Sequence, residues 1–254
     1  FKACGSDASQ PYPEKSLPIE PILEILNNGN LTKEQEEHID NIWNYKTGSE
    51  TICEDFSIII SGHDIKTIKL DSENIGWLND NIIDFYLQLI VNKTPNKKIF
   101  AYPSYFHRTL TDRYQDAIRF RKRQSDLHQF DLYLLPILLN DHWTILYYQP
   151  DLTKIGFYNS LISQGPDPKP ILERTTKYFK HLFETRGRNW TNPNIDDTIV
   201  PQQKNGSDCC VYVRYFARCL AIDKTIDVLP EQIGLFRKQL AYEIATKELI
   251  NKLF

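Results

Sequence analysis

The fold is decided by one segment, Pro201-Gln-Gln-Lys-Asn-Gly-Ser-Asp-Cys-Cys-Val-Tyr-Val-Arg-Tyr-Phe-Ala-Arg-Cys219, in which a polar turn runs directly into an apolar stretch. The turn contains Asn205-Gly206, and only two arginines, four residues apart, carry charge in residues 210–220. This pattern predicts a helix buried on most sides, with Asp208 at its N-cap and Cys209 in its first turn. Unpaired N–H groups and the helix dipole favour a thiolate there, as a nucleophilic cysteine requires.

Most free cysteines are small buried apolar residues, so a catalytic role for Cys209 needs partners. Gln203, six residues upstream, is an amide donor that a turn could direct at an oxyanion near the thiol. His142 begins a predicted strand rich in β-branched and aromatic residues, and Asn159 lies near the end of the next one. In adjacent antiparallel strands, the Asn159 amide oxygen can accept from one ring nitrogen of His142, which leaves the other for the thiol proton.

Four segments in this order resemble the SUMO/sentrin-type ubiquitin-like-protein proteases, relatives of the adenoviral protease in the papain-like superfamily. They are residues 77–86, 139–146, 155–161 and 201–209. Four ordered segments are far more specific than any single motif. The resemblance covers roughly residues 60–222. It implies an α+β fold with a papain-like core, in which helices flank a central antiparallel sheet and the nucleophile lies at a helix N-terminus.

The resemblance also implies catalytic roles: Cys209 as nucleophile, His142 as base, Asn159 as orienting residue and Gln203 as oxyanion donor. Two positions depart from the family pattern. The orienting residue is usually Asp rather than Asn159, and Gly rather than Cys210 usually follows the nucleophile. An amide can fix the imidazole tautomer, as in papain-like Cys-His-Asn sites. It gives an imidazolium less electrostatic support than a carboxylate would.

For substrate binding, Trp77 and Trp143 match the aromatic residues that clamp a modifier's Gly-Gly tail, and Asp80 matches an acid that contacts the modifier. The function predicted is removal of ubiquitin or a ubiquitin-like modifier from proteins by hydrolysis after the Gly-Gly terminus. Bacterial relatives often cut ubiquitin, and abundant Ile, Asn and Lys hint at an AT-rich genome, so ubiquitin is favoured with SUMO close behind. The alternatives are a protein acetyltransferase with the same Cys-His site and a catalytically weak modifier-binding module.

Composition limits the kinds of binding partner and the cellular compartment that are expected for this chain. A net charge of −3 gives no electrostatic argument for nucleic acid or membrane binding, and no apolar run is long enough to span a membrane. Five cysteines without framework spacing indicate an intracellular reducing compartment, which for a secreted bacterial effector is the host cytoplasm or nucleus. We expect a monomer with no cofactor and no metal. The absence of methionine indicates an excised or processed fragment.

The chain divides into an N-terminal helical appendage, residues 1–55, and a catalytic domain, residues 56–254. The appendage is predicted to hold two short helices, one over residues 21–26 and one opened by a capping box of Thr32 and Gln35. These helices either only cover the core or form a docking element for the substrate. Further strands are predicted at residues 57–60, 65–70 and 198–200, and a last helix after residue 230.

Overall fold

The computed structural model describes residues 31–44, 48–70, 76–122, 127–163, 165–227 and 232–250. Residues 31–251 form one compact unit. The helices described are α1 (Lys33–Trp43), α2 (Gly62–Lys66), α3 (Asp80–Lys93), α4 (Phe106–Asp112), α5 (Tyr114–Lys122), α6 (Pro168–Glu184), α7 (Cys209–Ala221) and α8 (Ile233–Thr246). The strands are β1 (Thr51–Asp55), β2 (Ile58–Ser61), β3 (Ile99–Ala101), β4 (Leu132–Leu139), β5 (His142–Gln149), β6 (Lys154–Tyr158) and β7 (Asn194–Asp196).

The central sheet has the strand order β3-β4-β5-β6-β7, and β1 pairs with β2 in a separate hairpin. The expectation of an antiparallel central sheet is confirmed only for its middle. β4, β5 and β6 are antiparallel neighbours, whereas β3 and β7 join the two edges in parallel. A helical segment separates β3 from β4 and another separates β6 from β7, and such long connections allow the parallel pairing. The α+β class is confirmed, with a mixed sheet.

A two-residue turn joins β4 to β5 and places His142 at the first position of its strand. Asn140 and Asp141 both have positive φ, 52° and 58°, as a type I′ turn requires. Asparagine and aspartate tolerate this left-handed conformation better than most residues. Leu139 therefore pairs directly with His142, and the ladder continues to Tyr133 and Tyr148.

Helices cover both faces of the sheet. On one face, α7 packs against β4 and β5, and every one of its residues is buried. On the other face, α4, α5 and α6 pack on alternate residues of the strands in an aromatic-rich core. The buried residues of that core include Tyr102, Phe106, Tyr133, Tyr148 and Phe179. The prediction that the segment starting at Cys209 forms a helix buried on most sides is confirmed.

The N-terminal region is described from residue 31 onward. Thr32 and Gln35 form the predicted capping box, each side chain bonding the other residue's backbone N–H. The helix they open, α1, packs on α8 within the same compact unit as the sheet. The helix predicted over residues 21–26 lies outside the described residues. A docking role for the appendage stays a prediction.

Two predicted strands are wrong. The sequence predicts an extended segment over residues 65–70, but α2 occupies Gly62–Lys66 because Ser61 and Asp64 form a capping box at its start. Residues 198–200 form no ladder, and the edge strand lies instead at Asn194–Asp196. The predicted strand at residues 57–60 is confirmed as β2, and the last helix is confirmed as α8.

A buried ionic cluster joins α7 to α3 and α8. The Glu243 carboxylate accepts from Arg214 at 2.6 Å, Arg218 at 2.5 Å, Tyr86 at 2.8 Å and the Ile250 N–H at 2.8 Å. Burial alone would raise the pKa of Glu243, but the two arginines outweigh it and the pKa is lowered. The two arginines of the opening segment, four residues apart, therefore lie on one helix face and share a single acid.

Candidate active site

Cys209 is the first residue of α7, as predicted, but the residue before it does not cap the helix with its side chain. Asp208 holds the N-cap position in a helical conformation and makes no side-chain capping bond. Its carboxylate is occupied elsewhere, by the Asn205 amide at 2.7 Å and by the Arg237 guanidinium at 2.7 Å. The predicted N-cap position is therefore confirmed, but its side chain makes no capping bond because two other donors take up both carboxylate oxygens.

His142 and Asn159 meet at the adjoining ends of β5 and β6. The ring Nε2 of His142 lies 2.7 Å from Asn159 Oδ1, and the Leu161 N–H donates to the same oxygen at 2.8 Å. A backbone N–H can only donate, so this atom is the amide oxygen and the facing Nε2 carries the proton. The other ring nitrogen of His142 is thereby left as the base. The structure brings the predicted pair together in the predicted arrangement.

The Cys209 sulfur receives several hydrogen bonds that favour its thiolate. The Cys210 thiol, 3.8 Å away, the His142 side chain and the Trp143 backbone N–H all bond it. Together they overcome burial and lower the pKa of Cys209 to about 5. Burial would lower the pKa of His142, but its hydrogen bonds to Cys209 and Asn159 outweigh it and raise this pKa. Both shifts act in the direction that favours transfer of the thiol proton from Cys209 to His142.

Gln203 is buried, and its amide orientation is fixed by two contacts. The Ser160 hydroxyl donates to Gln203 Oε1 at 2.7 Å, and Gln203 Nε2 donates to the Asn205 carbonyl at 2.5 Å. A carbonyl oxygen can only accept, so the group facing it is the NH₂ end. The bond to Asn205 uses one of the two NH₂ hydrogens, and the second is a donor that an oxyanion can use.

The three predicted substrate-binding residues differ in exposure. Trp77 is 50% exposed and Trp143 is only 4% exposed. Asp80 is exposed at the first position of α3, which Asn79 caps by accepting from the Ile82 N–H. Trp77 and Asp80 are thus accessible to a partner, whereas the Trp143 ring is packed into the protein.

Sequence reasoning missed three residues that support the site. Ser160 orients Gln203, and Gln202 donates to the Asn159 carbonyl at 3.0 Å and accepts from the Ile162 N–H at 2.9 Å. Arg237 on α8 bonds Asp208 from outside every quoted motif. Ser160 and Gln202 adjoin recognised residues in sequence, which is a usable signal, whereas nothing local marks Arg237.

Other kinds of site receive no support in the described part of the chain. No group of three or more His, Cys, Asp or Glu side chains there could hold a metal ion. None of the helices described is long and apolar enough to cross a membrane.

The arrangement is suited to acyl transfer. It combines a thiol of lowered pKa, an imidazole fixed in one tautomer and an amide donor beside the nucleophile's turn. A thiolate can attack a carbonyl carbon, the imidazole can then protonate a leaving amine, and the amide can hold the developing oxyanion.

Comparison with known proteins identifies a family of proteases. The model of the Ulp1 protease family, C-terminal catalytic domain, matches residues 76–249, which is more than half of the chain. A sentrin-specific protease of Caenorhabditis elegans is 28% identical over 219 residues, 84% of this chain and 31% of that protein. Sentrin-specific protease 2 of Mus musculus is 28% identical over 249 residues, 94% of this chain and 40% of that protein. The chain thus spans about a third to two-fifths of these relatives.

Solved structures agree with the sequence comparison. The C-terminal Ulp1 protease domain, in complex with Smt3, the yeast ortholog of SUMO, superposes with a TM-score of 0.75 at 27% identity. The match covers 85% of this chain and 96% of that domain. The resemblance drawn from the four sequence segments is thereby confirmed. The chain belongs to the Ulp1 protease family and carries its C-terminal catalytic domain.

Proposed function

We propose that this chain is a cysteine protease that releases a SUMO-type modifier by hydrolysing the bond after the modifier's Gly-Gly terminus. One observation carries the proposal: the Asn159 oxygen fixes the His142 ring while the ring bonds a Cys209 thiol of lowered pKa. This is the geometry of a nucleophile, a base and an orienting residue.

In the proposed reaction, His142 takes the Cys209 proton and the thiolate attacks the carbonyl carbon of the terminal glycine. The tetrahedral oxyanion accepts from the free Gln203 N–H and from a backbone N–H. The imidazolium then protonates the leaving lysine amine, and a thioester remains on Cys209. Water, deprotonated by His142, attacks the thioester, which frees the modifier's carboxylate and restores the thiol.

SUMO is preferred over ubiquitin as the modifier because of the family relatives. The two relatives described above are named sentrin-specific proteases, and the superposed Ulp1 domain was solved with a SUMO ortholog. The ubiquitin preference drawn from the sequence is not supported by these comparisons. It rested on the ubiquitin cleavage of bacterial relatives and on genome composition, both of which bear on the source of the chain and not on its binding surface.

Specificity for Gly-Gly is proposed to come from the surface beside the nucleophile. In this proposal the half-exposed Trp77 ring forms one wall of a tail-binding slot. Two residues without side chains can thread a slot that any other side chain would block. The exposed Asp80, three residues after Trp77, would contact the body of the modifier.

The deciding experiment is a panel of modifiers with electrophilic C-terminal warheads. We expect SUMO to label the protein covalently and ubiquitin to label it much more slowly, with no label on Cys209→Ala. Labelling by ubiquitin alone would overturn the choice of modifier. A protein that labels with no modifier but binds SUMO in a titration would be a binding module, which overturns the protease.

Asn159 should contribute through the orientation of His142. Asn159→Ala should lower kcat by about ten- to a thousandfold, because the imidazole is then free to rotate or change tautomer. Asn159→Asp should retain substantial activity. Its carboxylate favours the imidazolium and lowers the thiol pKa further, so the acidic limb of kcat/KM, set by a thiol pKa of about 5, moves to lower pH.

The measurement is kcat/KM against pH for the three proteins on a SUMO–fluorophore substrate. Asn192→Ala is a matched control, since this exposed asparagine accepts only from Trp190 Nε1 among the described residues and should leave the curve unchanged. If Asn159→Ala cleaves as fast as the parent, another group orients His142.

A further inference from the structure

The Arg237 guanidinium is buried, with a residue exposure of 3%, and it makes a complete set of hydrogen bonds. Nε and Nη2 donate to Asp208 Oδ1 at 2.9 and 2.7 Å, and Nη2 also donates to the Ser207 carbonyl at 2.8 Å. Nη1 donates to the carbonyls of Ile68 and Gly76, both at 2.9 Å. The five contacts match the five N–H donors of a guanidinium.

These contacts join two segments that are far apart in sequence. Ser207 and Asp208 form the turn immediately before the nucleophile, and Gly76 immediately precedes Trp77. A second contact joins the same segments, because the Cys210 thiol donates to the Leu78 carbonyl at 3.8 Å. The backbone on both sides of Trp77 is therefore attached to the start of α7.

The approach of Arg237 to Gly76 leaves no room for a side chain. A Cβ at position 76 would lie 2.8 Å from Arg237 Nη1, and φ of this residue is +69°. Glycine adopts that conformation freely, whereas other residues are strained there. The sequence thus combines a glycine and an arginine 161 positions apart in one contact.

We propose that Arg237 is a positioning residue that aligns Trp77 with the Cys209 thiol, so that the slot for the modifier tail opens onto the nucleophile. The inference rests on the proposed function, in which Trp77 lines that slot. The planar fork of arginine holds several acceptors in fixed directions, which a lysine ammonium on a flexible stem does not do. A lysine would keep the charge beside Asp208 and lose the alignment.

The first test compares Arg237→Lys with the parent in two assays. Cleavage of a SUMO–fluorophore substrate should fall by about a hundredfold in kcat/KM, the loss expected from a displacement of about 1 Å between reacting groups. Alkylation of Cys209 by iodoacetamide should stay nearly unchanged, because it needs only the thiol and His142. Lys238→Ala is the matched control on the next residue, whose side chain pairs with Glu36 at the surface. Alkylation that falls in parallel with cleavage would show that Arg237 supports the nucleophile alone.

A double-mutant cycle with Trp77→Ala tests the coupling directly. If Arg237 acts through Trp77, Arg237→Lys should cost only a few-fold in the Trp77→Ala background, since coupled residues are not additive. Fully additive losses would overturn the inference. Gly76→Ala breaks the same contact from the opposite side and should reproduce the Arg237→Lys pattern, so an Arg237 variant that fails to fold does not stop the test.

Hydrogen exchange separates this inference from the choice of substrate. In Arg237→Lys or Gly76→Ala, amides of residues 76–82 and of residues 207–211 should both lose protection, while those of β4 and β5 keep it. This readout needs no modifier. If protection is unchanged in both segments, Arg237 does not hold them together, whatever the protein cleaves. If the parent labels with no modifier, the proposed function fails and the exchange result still decides whether the two segments are joined.

Discussion

Replacing Cys209 by alanine should abolish cleavage of a SUMO-type substrate, with a loss of at least about ten-thousandfold in kcat. Cys209 is the thiol bonded to His142, and its pKa is lowered to about 5. The adjacent Cys210 is buried, its pKa is raised well above the usual value, and its sulfur contacts the Leu78 carbonyl. The two neighbouring cysteines therefore differ in pKa, which is lowered for Cys209 and raised for Cys210, and in contacts, since Cys209 bonds His142 and Cys210 faces the Leu78 carbonyl.

Cys210→Ala is the matched control and should retain cleavage. The hydrogen bond between the two sulfur atoms, 3.8 Å apart, is the largest influence that lowers the pKa of Cys209, so its removal should raise this pKa and move the acidic limb of kcat/KM to higher pH. Mass spectrometry of the SUMO-warhead adduct after proteolysis should place the label on Cys209. An adduct on Cys210, or full activity of Cys209→Ala, would refute the assignment of the nucleophile.

Glu243→Ala should lower the free energy of unfolding by about 3–5 kcal/mol, the usual effect of removing one partner from a buried ion pair. Glu243 and Arg214 are almost fully buried, so the mutation leaves a guanidinium without its counter-ion in the core between α3, α7 and α8. Glu243→Gln, which keeps the shape and removes the charge, should cost less. Urea unfolding followed by fluorescence measures both.

The surface offers a control for that cluster. Glu248 pairs with Lys93 at 2.6 Å, but its side chain is 68% exposed. Glu248→Ala should therefore change the free energy of unfolding by less than about 1 kcal/mol. If Glu243→Ala and Glu248→Ala lower the free energy of unfolding equally, burial does not explain the contribution of the Arg214–Glu243 pair.

The central part of the site could be predicted from local patterns. The change from a polar turn to an apolar helix located Cys209, and the strand that begins at His142 followed from its β-branched and aromatic residues. Asn159 followed because consecutive short strands usually pair with each other. Each of these inferences needs only residues within one or two neighbouring elements.

The rest depends on contacts that no local pattern specifies. Arg237 lies 29 residues after Asp208 and 161 after Gly76, so only the folded chain shows that it bonds both. The apolar residues of Ile65–Leu70 fit a strand, but the capping box of Ser61 and Asp64 starts a helix that extends to Lys66. The parallel edge strands were missed because pairing at a sheet edge follows from the path of the connections.

The turn at Asn140–Asp141 has a consequence for changes in chain length. Surface loops usually accept insertions, because neither end is held in register. Here Leu139 pairs with His142 across two residues. An added residue that shifts this pairing by one position exchanges the sheet faces of the side chains that follow and moves the imidazole away from Asn159 and Cys209. The length of this turn is therefore constrained as well as its amino-acid identity: Gly in place of either residue keeps the type I′ geometry, whereas a third residue requires a different turn type.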